Sequence, residues 1–202
     1  MRREVLCRLK VNSRVICELE QNYVIIFKSI LNYHAKGRAT NDNFKEVFSM
    51  SYQNYKEAME LAPKCKFYTT VGGKSQEDIR KSEELLGIKF SRQCREFYEQ
   101  YGYLSFFGNE IFGIDPDDSG ELEGNSVAYA LNDREEYGLP DHWIPIYNYD
   151  DGLMAYLDYS SLNDDGEPCV ITAEFNGSEY QVEETIAEDF GEFLLGLVKE
   201  AD

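Results

Sequence analysis

Two hydrophobic periods divide the chain. Tyr52, Tyr55, Ala58, Met59 and Ala62 recur at helical spacing over Met50–Pro63, and Pro63 closes that stretch. Ser75 then stands as an N-cap before Glu77 and Asp78, with Ile79, Leu85 and Leu86 forming an apolar stripe and Gly87 at the C-cap position. A second helix is expected from Ser91, where Cys94, Phe97, Tyr98 and Tyr101 fall on one face before Gly102 ends it.

Beyond Gly102 the period shortens. Tyr103–Ile114 is aromatic and β-branched and is broken at Gly108-Asn109, as in a hairpin. An acidic loop from Asp115 to Gly124 leads to a helix over Ser126–Tyr137. Strand-like runs follow at Trp143–Tyr147, Leu153–Tyr159 and Cys169–Phe175, with a short one near Glu179–Val182. They are separated by turn-forming segments, Asn148 to Gly152 and Asn163 to Gly166. Phe190, Phe193, Leu194, Leu197 and Val198 make the apolar face of a closing helix. Helices, then strands on hairpin-length connections, then a helix predict an α+β fold with a mostly antiparallel sheet.

Composition adds a sign to this picture. The 202 residues carry 20 Lys and Arg against 38 Asp and Glu, a net charge of −18, while 15 Tyr and 12 Phe exclude a disordered acidic tail. A field of that sign repels phosphate backbones and anionic lipid, so neither nucleic acid nor a membrane surface is an expected partner. The longest apolar run, Val24–Phe27, is far too short to span a bilayer. Five cysteines (Cys7, Cys17, Cys65, Cys94, Cys169) at irregular spacing, with no signal peptide ahead of them, predict a reduced, cytoplasmic setting.

The charge is uneven. Residues 1–49 hold nine basic and five acidic side chains, a net of +4, whereas residues 50–202 hold 11 and 33, a net of −22. Residues 1–49 are either a basic appendage, weakly helical around Val15–Leu31, or no part of the working protein. Lys45-Glu46-Val47 can be encoded as AAG-GAG-GTN, a ribosome-binding site at initiating distance from Met50, so translation is expected to start at Met50.

Motifs that could carry chemistry read as structural. Gly72-Gly73-Lys74-Ser75 resembles the tail of a phosphate-binding loop, but Tyr68 stands where that motif needs its first glycine. Asp115, Asp117, Ser119 and Gly120 match the first half of a calcium loop, yet position 12 is Ser126 rather than glutamate, so a solvated acidic turn and no metal are expected. His142 is the sole histidine after Met50 and sits in a Pro140-Asp141 turn; an acid/base role would need it to converge with Asp150 and Asp151. No cofactor, metal or enzymatic activity is expected. What remains is exposed acid interleaved with aromatics, a surface suited to steering and anchoring a basic protein. The candidate contact residues are Asp115, Asp117, Asp118, Glu121 and Glu123 in the loop, Asp133, Glu135 and Glu136 on the helix, and Tyr149, Asp150 and Asp151 in the turn.

From about Ser75 to the C-terminus the chain resembles the SUKH superfamily, related to the yeast Smi/Knr cell-wall regulators and abundant among bacterial immunity proteins. The resemblance lies in the order of several segments. These are Ile79 with Leu85-Leu86-Gly87-Ile88 and Phe90, Phe97-Tyr98 with Tyr101-Gly102, Ile111-Phe112-Gly113-Ile114, and Leu139-Pro140 with Trp143-Ile144-Pro145-Ile146. They continue through Asp151-Gly152 with Tyr156-Leu157-Asp158, Gly166 with Pro168-Cys169-Val170, and Asp189-Phe190 with Phe193-Leu194. Where the family often has Leu-Pro this chain has Phe90-Ser91, and Ser91 is expected to cap the helix instead. In length from Met50 it is most similar to Bacillus-type immunity proteins against LXG-type secreted toxins. The resemblance implies a non-enzymatic α+β protein that binds a cognate toxin, commonly a nuclease; the alternative is an intracellular scaffold or regulatory module. It carries over no fixed catalytic residues.

Overall fold

The computed structural model describes residues 50–117, 123–149 and 152–201. The appendage 1–49 with its expected helix, and the candidate residues Asp118, Glu121, Asp150 and Asp151, lie outside the described residues. Helix α1 (Met50–Leu61) runs into a 3-10 turn at Ala62–Lys64. It is followed by β1 (Thr69–Thr70), α2 (Gln76–Leu86), α3 (Arg92–Gln100), β2 (Leu104–Phe106), β3 (Asn109–Ile111) and α4 (Ser126–Tyr137). A meander of β4 (Trp143–Asn148), β5 (Met154–Leu162), β6 (Pro168–Phe175) and β7 (Tyr180–Ala187) leads to α5 (Phe190–Glu200).

The strands form two antiparallel sheets, β1-β2-β3 and β4-β5-β6-β7, which makes the fold α+β. The Phe112 N–H donates to the Ile146 carbonyl at 2.9 Å and so ties the end of the small sheet to β4. Phe97, Tyr98, Ile144, Leu157 and Phe190 are essentially inaccessible and belong to one apolar core. The Phe97 ring meets that of Phe190 edge-on with centroids 5.3 Å apart, which packs α3 against α5.

Local sequence explains most boundaries. Ser75 and Asp78 form a reciprocal capping box on α2, and Gly87 ends it at φ 70°. Three expectations change. Ser91 occupies the N-cap of α3, but its side chain makes no capping bond; the Glu167 carboxylate, reaching in from the β5–β6 turn, accepts from the Gln93 N–H at 3.1 Å instead. The β2–β3 turn falls at Phe107-Gly108, one residue before Gly108-Asn109, because the Asn109 side chain is held by the Tyr147 hydroxyl at 2.8 Å and Asn109 pairs with Phe106. Strand β7 is twice the expected length, extended by its ladder to β6. No helix among the described residues is long and apolar enough to cross a membrane.

Candidate interaction surface

The acidic loop leaves and re-enters the body at a pinned base. Asn125 is the N-cap of α4, and its side-chain oxygen accepts from the Val127 and Ala128 N–H groups at 3.1 and 3.4 Å. The same oxygen accepts from the Asp115 N–H at 3.1 Å, while its amide donates to the Asp115 carbonyl at 3.1 Å. One side chain therefore starts a helix and closes the loop at residues 115 and 125. Gly113 completes the clamp, donating to the Gly124 carbonyl and accepting from the Ser126 N–H.

Beside this base lies a groove of about 440 Å³, lined among others by Val71, Lys74, Tyr103, Glu110, Asp115 and Glu123. Its walls meet closely enough that a Cβ on Gly113 would stand 2.0 Å from the Gly102 carbonyl oxygen. Gly73 is equally constrained, since a Cβ there would lie 1.9 Å from the Glu99 carbonyl oxygen. The segment thus owes Gly73 to backbone packing against the end of α3, where the Lys74 N–H donates to the Tyr98 carbonyl at 2.8 Å, and Gly72 to its left-handed backbone at φ 84°.

The loop acids are partly neutralised from within. Lys74 approaches Asp115 at 3.5 Å, and Lys81 of α2 pairs with Asp117, which raises the Lys81 ammonium above its ordinary value. Asp115 also accepts from the Asp117 N–H, so the two carboxylates that suggested a calcium loop are engaged in a turn and in ion pairs with lysines. Glu123 is exposed at the groove's rim.

On α4, Glu135, Glu136 and Tyr137 face solvent, whereas Asp133 does not. It is buried and accepts from the Tyr180 hydroxyl at 2.7 Å, fixing β7 to α4. Its place on the inner face of the helix removes it from the contact surface expected from sequence. Tyr149 is exposed, with its ring edge-on to Tyr147 at 4.7 Å. His142 lies 3.7 Å from the Asp158 carboxylate on the neighbouring strand.

Two buried carboxylates carried no visible signal in the sequence. Burial pushes Glu83 up, but Lys89, the Phe90 N–H and Arg95 outweigh it and hold the carboxyl below the ordinary range. Burial likewise pushes Glu167 up, and there it prevails over the hydrogen bond from the Gln93 N–H. Both serve architecture: Glu83 joins α2 to α3, and Glu167 joins α3 to the meander.

A family model, SUKH_5, described as SMI1-KNR4 cell-wall, matches residues 51–199. No curated protein matches the chain.

Proposed function

On the premise that the chain belongs to the SUKH superfamily, we propose that it is an immunity protein that binds and neutralises a cognate bacterial toxin in the cytoplasm. The partner is a basic protein, a nuclease of the LXG type. A nuclease must present Lys and Arg to hold phosphate, and an acidic protein can cover that cleft, drawn by the field that recruits the substrate. The observation that carries this reading is the acidic loop on its pinned base, set in a body of net charge −22. Together with Glu135, Glu136, Tyr149, Asp150 and Asp151, the 115–123 loop would make the contact, and no catalytic residue is assigned.

Co-expression with the product of the adjacent upstream gene tests the role: growth should be rescued, and a failure to rescue would favour the scaffold reading. Charge reversal of Asp117, Asp118, Glu121 and Glu123 together should then lower the association rate and weaken its salt dependence. Unchanged rates would move the contact surface elsewhere.

A further inference from the structure

The small sheet turns an unusual face to solvent. Along β1 and its flanks, burial alternates: Phe67, Thr69 and Val71 are exposed, while Tyr68 and Thr70 are partly covered. Phe67 is 81% and Val71 64% exposed, the two most exposed large apolar side chains among the described residues. Phe107 on the next strand's turn is 52% exposed. Phe67 and Phe107 are also the two described non-glycine residues in the left-handed region, at φ 59° and 51°. That conformation costs about 1–2 kcal/mol for a bulky residue, and strain on exposed aromatics points to a binding role rather than a packing one.

Charge singles out the same place. Residues 61–76 hold three lysines and no acid, the longest acid-free stretch after Met50, and residues 100–109 hold no acid either. These two stretches supply β1 and β2 and the turns that join them through the Phe107 N–H to Lys66 carbonyl bond. Two copies of a −18 chain repel wherever acid meets acid, and along β1 they meet neutral surface and lysine, with Glu110, the one acid of the small sheet's strands, two strands away on β3. Strand β1 is the outer strand of its sheet.

We infer that a second copy of this chain occupies this face, pairing β1 with β1 antiparallel about a two-fold axis at Thr69. That register is self-complementary, as an isologous contact must be. It sets Thr69 opposite its symmetry mate, joins the two three-stranded sheets into one of six strands, and brings Val71 of each copy and the exposed ring of Phe67, in the turn just before the strand, to the same seam.

Sedimentation velocity on the full chain, read up to high micromolar concentration, should show a monomer–dimer equilibrium. Phe67→Asp and Val71→Asp should each weaken it by at least about tenfold. Asp tolerates left-handed backbone better than Phe, and an unchanged melting curve will show that Phe67→Asp folds. Thr69→Cys should cross-link two chains under mild oxidation in the non-reducing gel, above any background from the wild-type cysteines, since facing strand residues lie within disulfide reach. A chain that stays monomeric at the highest concentration overturns the inference. So does a dimer that both aspartates leave intact, because that dimer is built elsewhere, residues 1–49 included.

Discussion

Replacing Asn125 by Ala would remove two structural functions at once, and their sum can be worked from the contacts. Loss of the side-chain cap on α4 costs about 1 kcal/mol. The Asp115 N–H, which donates to the same oxygen, is left without its acceptor at the partly buried loop base, costing about 1–3 kcal/mol more. A total near 2–4 kcal/mol corresponds to a fall in Tm of about 4–16 °C for a domain of this size. Scanning calorimetry measures it. Asn125→Ser should recover roughly 1 kcal/mol, because a hydroxyl caps the helix yet has no second arm for the Asp115 carbonyl. Amide exchange at Asp115 and Val127 should accelerate together in the alanine variant and separately in the serine variant. A Tm loss under about 2 °C for alanine, or serine as damaging as alanine, would refute the view that one side chain serves both helix and loop.

Two further predictions concern the buried carboxylates. Glu83 is depressed in the folded state, so it contributes stability above the ordinary carboxylate range, and that contribution disappears as pH falls through its lowered folded value. Glu83→Gln should therefore cost about 1–3 kcal/mol at neutral pH, with thermal melts of variant and wild type converging in acid; a gap independent of pH would discard the ion-pair explanation. Glu167 has the opposite sign: its raised folded value means its contribution is complete below the ordinary range and is lost as pH rises through that value. Glu167→Gln keeps an oxygen for the Gln93 N–H and should melt higher than wild type near neutrality, but no higher in acid. Equal melting at both pH values would show that desolvation of this carboxylate is not the controlling effect.

The fold was legible where local chemistry decides it. The Ser75 cap, the Gly87 left-handed end and the Asn163–Gly166 turn are each written within a few residues of one another. What depended on partners distant in sequence was not. Ser91 reads as a cap, yet its helix is capped from Glu167, 74 residues away from Gln93. Asp133 reads as one more surface acid, since its helical phase is set by Tyr180 of β7 rather than by its neighbours Glu135 and Glu136. Strand β1 has only two residues and gains its identity from pairing with β2. The candidate surface shows the same division: its acids were countable, but their partial neutralisation by Lys74 and Lys81 follows from where α2 lies.

The two proposed contacts also differ in how salt must act on them, and this separates them without a mutation. An acidic surface docking a basic toxin draws its association rate from attraction across solvent, so raising ionic strength slows it. Two copies of a −18 chain approach against their mutual repulsion, and what holds them is strand pairing and the burial of Phe67 and Val71. Salt screens the repulsion and leaves the apolar burial, so self-association tightens under the conditions that weaken toxin capture. The opposition follows from the arrangement of charge, with 33 acids after Met50 and none between residues 61 and 76. An acidic protein of this kind can be sticky toward itself on one face while its remaining surface is reserved for a cationic partner.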